Sequence, residues 1–183
     1  MNCIQIMVEE HENIKRMLKV TTKYCMDILE HKKVEYEDFF KIIDFIRNYA
    51  DKHHHGKEEI MLFNRMVDEI GGAAEKLVKF GMLVEHDMGR FYIQELEFAV
   101  REVLNGNQEA RLKIITYAMS YVYLLQRHIE KENEVAYIFA EENLKQETLD
   151  IINEECAKFE KEAKENQMQQ RYLNLLYELE KKI

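Results

Sequence analysis

Proline and tryptophan are absent from this 183-residue sequence, and glycine occurs only six times. With so few residues that break helices or build tight turns, a strand-rich fold is excluded and long helices are expected. Cysteine is scarce as well: Cys3, Cys25 and Cys156 are odd in number, far apart and in no CxxC arrangement. This excludes a disulfide framework and a thiolate zinc site, and the thiols are expected to be reduced. No run of about 18 apolar residues exists, so no membrane span is expected. The first ten residues also lack the basic region, apolar stretch and cleavage site of a secretion signal. A cytoplasmic protein is the expectation. Positive charge is in deficit too: 26 Lys and Arg against 35 Asp and Glu give a net charge of −9. No nucleic-acid partner is expected from such a chain, which lacks a basic stripe.

What is present is a helical pattern, with 46% hydrophobic and 33% charged residues. A first helix is expected from about Ile4 to Glu30, with apolar residues at alternating steps of three and four and His11 on the same seam. A second runs from about Glu35 to Ile70, with Phe39, Ile43, Ile46, Ala50 and Met61 inward, and Gly71-Gly72 should cap it. A third, Ala73 to Leu104, carries His86 on the seam Met82, Gly89, Ile93, Leu96, Val100, Val103. After Asn105-Gly106-Asn107, a fourth has the seam Ile114, Ala118, Tyr121, Leu125, His128, Glu132, Val135, Phe139. Fold class is therefore all-α: an up-down-up-down four-helix bundle over residues 1–144, with an additional C-terminal helical segment, 145–183, packed on it. That segment carries no metal-ligand motif; its alternative use is as a partner-binding or dimerising helix.

The densest polar stretch is Asp51 to Glu59, which holds His53, His54, His55, Glu58 and Glu59. At about 100° per residue, His54 lies about 20° and Glu58 about 60° from the inward Ile43 and Met61. His55 and Glu59 fall about 120° and 160° away and are expected in solvent, while His53, about 80° off on the other side, is a borderline alternative. A second His-xxx-Glu pair, His128 and Glu132, sits on the core face of the fourth helix. Counting outward from the turns brings His11, His54, His86 and His128 to one level, with Glu58 and Glu132 a turn away. Four imidazoles and two acids buried together would be badly desolvated without a cation. Two divalent ions fit this inventory, each taking two imidazoles while both glutamates bridge.

Four successive blocks then resemble the hemerythrin-like family, the histidine-histidine-glutamate cation-binding domain. They are His11 within Glu9–Asn13, His54 to Glu59 followed by Leu62-Phe63, Glu85-His86 to Arg90, and His128 to Asn133. The resemblance implies a non-haem, oxo- or hydroxo-bridged pair of iron ions, with His11 and His54 on one, His86 and His128 on the other, and Glu58 and Glu132 bridging. Manganese or zinc also suits such donors. Where hemerythrins carry a second histidine four residues after the third-helix ligand, this chain has Arg90, which stays protonated and does not ligate. Arg90 is expected to leave that iron more open, or to stabilise a bound anion or an outer carboxylate. The implied function is binding or sensing a small ligand such as O₂, NO or peroxide. Two alternatives stand beside it: an enzyme in peroxide or NO scavenging, iron oxidation or iron donation for cluster repair, and an interaction scaffold using the C-terminal helix.

Overall fold

Residues 2–183, described by a computed structural model, form six helices, and no strand occurs among them. The first, α1 (Cys3–Leu29), starts on Asn2, whose side-chain oxygen accepts the Gln5 N–H and satisfies one of the orphan donors of a helix start. Its seam of Ile4, Met7, His11, Ile14, Leu18, Thr21, Cys25 and Ile28 is buried throughout. The chain turns at His31, in the left-handed region at φ 55°. α2 then spans 38–70 and ends at Gly71, whose φ of 66° is cheap for glycine alone. α3 spans 72–104 and α4 108–143, joined through Gly106 at φ 97°. α5 (Gln146–Glu165) and α6 (Met168–Glu180) follow, with a left-handed Gln167 between them.

α4 packs along both α1 and α3, and α2 touches α1 and α3. α5 and α6 pack on one another and on the side formed by α1 and α2. Two apolar clusters result. One is built around Leu18, Phe39, Phe45, Leu96, Val100 and Ile114, the other around Met7, Leu62, Phe63, Met66, Met82 and Ala140. Each fully buried aliphatic or aromatic side chain contributes roughly 1.5–3 kcal/mol, so these clusters hold the helices together. Along each of α1 to α4, the histidine-bearing positions fall between the two clusters, which places a polar layer across the interior.

Besides a 3₁₀ turn at Gln108–Ala110, four stretches depart from α-helical winding. Ile46–His55, Glu58–Phe63, Val78–Met82 and Glu132–Ala136 carry π-type i→i+5 bonds, and three of them contain residues of the polar layer. A π turn takes in an extra residue, so every side chain within and beyond it rotates away from its α-helical direction. This corrects the seam expected for the fourth helix. Val135 is 50% exposed instead of inward, and Ala136, Tyr137 and Ala140 are buried in its place. No described helix is long and apolar enough to cross a membrane.

Candidate metal centre

Each of the four seam histidines is oriented from behind. His11 Nδ1 is 2.8 Å from Asn133 Oδ1, and His54 Nδ1 is 2.8 Å from Glu10 Oε2. His86 Nδ1 donates to Glu59 Oε1 at 2.7 Å and His128 Nδ1 to Glu85 Oε2 at 2.9 Å. A carboxylate or amide oxygen only accepts, so in the neutral ring the proton sits on Nδ1 and the lone pair on Nε2. Those lone pairs point inward at one another: His11 Nε2 and His54 Nε2 are 2.8 Å apart, His86 Nε2 and His128 Nε2 3.0 Å. Two acceptors so close need a positive charge between them, either a metal ion or the extra proton of an imidazolium. An outer oxygen fixing Nδ1–H while Nε2 faces inward is also the usual support of a metal-bound imidazole.

The glutamates lie between the two histidine pairs. Glu132 Oε2 is 3.2 Å from His11 Nε2, while its Oε1 is 2.9 Å from His128 Nε2 and 3.6 Å from His86 Nε2. Glu58 Oε1 is 3.7 Å from His54 Nε2 and Oε2 3.6 Å from His86 Nε2. Both side chains are fully buried, and Glu58 Oε2 and both Glu132 oxygens make no hydrogen bond. Only the other Glu58 oxygen has a donor, the Tyr137 hydroxyl. Three orphaned carboxylate oxygens at the centre of a protein carry a heavy desolvation penalty unless cations replace the lost water. The donor set therefore fits a pair of cations, and His11, His54, Glu58 and Glu132 lie close enough to share one.

The largest correction to the sequence reading concerns His55, which is 5% exposed and not in solvent. Its ring stacks on His86, with centroids 3.8 Å apart and planes 9° apart, and it groups with His86 and His128 as a second potential metal site. The π winding of Ile46–His55 turns it inward, where a fixed angle per residue had turned it out. Glu59 is likewise drawn in as the half-buried partner of His86. His53 is buried too, but it faces another network, with Nε2 2.9 Å from Glu10 Oε1.

That network contains a third group, Glu10, His53 and Glu160, but it already holds a cation. The Lys57 ammonium, fully buried, contacts Glu10 and Glu160 and lies 3.2 Å from His53 Nε2. Although burial opposes its charge, the two carboxylates outweigh burial and raise its pKa. Glu160 belongs to α5, so the C-terminal helices place a second carboxylate on the Lys57 ammonium that balances Glu10, the support of His54.

The two histidine pairs carry different electrostatics. Burial, with His11 alongside, lowers His54 to about 4. For His128 burial also acts downward, but Glu132 and Glu85 prevail and raise it to about 9. Burial next to Glu132 pushes Glu58 well above the ordinary carboxyl range. Glu132 faces the same burial, but imidazoles led by His128 hold it well below that range. Arg90 sits outside the layer. Its guanidinium is 40% exposed and binds Asp51 at 2.7 Å, Glu59 at 2.7 Å and Asp87 at 3.0 Å, so it reaches the outer carboxylate of His86 and not the imidazoles.

The outer partners were not singled out from sequence, yet they carry a readable signal. Glu10 precedes His11, Glu85 precedes His86, Glu59 follows Glu58 and Asn133 follows Glu132. Each neighbour of one inward residue supports an imidazole on a different helix. Compared with protein families, the chain matches the hemerythrin HHE cation binding domain over residues 2–140. No curated protein and no solved structure matches it.

Proposed function

Because the chain belongs to the hemerythrin HHE cation-binding family, we propose that its polar layer holds two non-haem iron ions and binds or senses a small ligand there. In this reading α1 to α4 form an up-down-up-down bundle, residues 1–144, with 145–183 as a cover. His11 and His54 hold one ion, His55, His86 and His128 the other, and Glu58 and Glu132 bridge. Manganese or zinc would suit the same donors. In this reading the protein is cytoplasmic, where the buried thiols of Cys3, Cys25 and Cys156 stay reduced.

The observation that carries this reading is the convergence of four Nε2 lone pairs on three orphaned carboxylate oxygens. An iron pair supplies a redox-active, Lewis-acidic centre for O₂, NO or peroxide. The protein's own contribution is asymmetry. Three imidazoles face the second position and two the first, so the first depends more on the glutamates and keeps fewer imidazole donors. Tyr137 stands beside it, stacked on His11 at 5.8 Å and donating to Glu58.

That phenol also favours a second reading, a turnover enzyme, since it places a proton donor next to the two-imidazole position. Anaerobic reconstitution with ferrous iron, followed by air, tests the first reading. Wild type should take up iron and develop a near-ultraviolet charge-transfer band, and His54→Ala and His128→Ala should not. No uptake by wild type, or equal uptake by the variants, would defeat it. Sustained consumption of peroxide or NO by the loaded protein would favour the enzyme, and a stoichiometric reaction followed by arrest would favour binding.

A further inference from the structure

We propose that a cavity outside the second half-site binds a small phenol-type molecule, with a compact aromatic body and one oxygen acceptor. The cavity, about 260 Å³, lies between α2, α3 and α4, and His55 and His86 form part of its wall. Ile46, Ile93 and Leu125 make much of the remaining lining apolar. Such a volume lies just below the 300 Å³ or so at which drug-sized pockets begin and far above what one water needs. A diatomic ligand would leave it largely unfilled.

Tyr121 points to the occupant. Its side chain lines the cavity and is 2% exposed, and its buried hydroxyl has no hydrogen-bond partner. An unpaired buried hydroxyl is costly, and an acceptor seated in the cavity relieves that cost. Gly89 supplies a second, independent observation. It is not among the glycines of positive φ, so its backbone would accept any residue, and glycine inside a helix is unfavourable. A Cβ there would lie 3.4 Å from the Tyr121 ring, an ordinary contact, so a methyl would fit and only a longer side chain would take up the space beside the ring.

The rings of His55, His86 and Tyr121 favour a flat aromatic body. Around the cavity, Arg90 is paired with Asp51 and Arg47 with Glu97, and Lys52, bonded only to Asn48, is exposed to solvent that screens its charge, so the ligand is expected to be neutral. These walls are protein atoms, so the inference does not rest on the iron reading, although an occupant would touch two of its imidazoles.

Isothermal titration of phenol into the full-length protein, metal-free and iron-loaded, tests this, with benzoate as the charged control. Wild type should show saturable one-site binding in the metal-free form, whatever the outcome with iron. Tyr121→Phe should bind roughly two- to ten-fold more weakly, the worth of one net hydrogen bond. Gly89→Leu, which fills the space, should abolish binding while circular dichroism shows an intact fold. Should that variant unfold, nuclear Overhauser contacts from phenol to the Ile93 and Leu125 methyls of wild type decide the location. Absence of saturable binding, unchanged binding by Gly89→Leu, or missing contacts to those methyls would overturn the proposal and leave a cavity that holds water only. Benzoate binding as tightly as phenol would overturn the neutral-ligand assignment.

Discussion

The two histidine groups lie on either side of the same two glutamates, but they are supported differently. His11 and His54 are backed from inside the protein, by Asn133 and by Glu10, whose charge is balanced by the fully buried Lys57 and, through it, linked to Glu160 on α5. His86 and His128 lean outward on Glu59 and Glu85, each tied to a partly exposed cation, Arg90 or Lys131. A deep support needs its own buried counter-charge, here Lys57 on α2, which α5 engages in turn through Glu160. A shallow one can be neutralised at the surface, and substitutions there should cost less.

The largest effect is expected where the halves meet. Glu58→Ala removes a carboxylate near both imidazole sets and should drop metal content, measured by plasma mass spectrometry, from two ions per chain to less than one. Lys57→Met should come next, since it leaves Glu10 and Glu160 without their cation; breaking a buried pair costs about 3–5 kcal/mol. Urea unfolding of the metal-free protein reads this out, and an unchanged midpoint would remove the distinction between deep and shallow support. His55→Ala should weaken only the second ion, by at least the roughly 10- to 100-fold typical of losing an outer partner. Competition with a chelator would show one ion released early, whereas loss of both together would make His55 structural.

A pH series sharpens the comparison further. His54, lowered to about 4, takes up its proton more readily when unfolded, so its stabilisation is complete above an ordinary value of about 6.5 and is lost as pH falls toward 4. His128, raised to about 9, does the opposite: its stabilisation is complete below about 6.5 and is lost as pH rises toward 9. Metal-free protein should therefore be most stable near pH 6.5, with urea midpoints falling on both sides. The smallest effect is expected from Arg90→Ala, below about 1 kcal/mol in the same assay, because its pairs are partly exposed and screened.

The α-helical parts of this arrangement were legible in the sequence. Alternating steps of three and four identify the buried seams of α1 and α3, and they bring His11 and His86 to the interior. Where the backbone winds as π-helix, the same arithmetic fails. It sent His55 outward and Val135 inward, and both are reversed. Nothing in residue type marks a π turn: three of the four stretches hold residues of the polar layer, but Val78–Met82 is made of Val, Lys, Phe, Gly and Met. Lys57 escaped for a related reason. A lysine reads as a surface residue until Glu10 and Glu160, from two other helices, surround it.

The most direct measurement is anomalous X-ray diffraction from crystals of the iron-loaded protein. Two peaks are expected in the polar layer, separated by the carboxylates of Glu58 and Glu132, with His11 and His54 on one and His55, His86 and His128 on the other. A single peak, no peak, or two peaks with the His55 ring turned away would contradict the asymmetric pair.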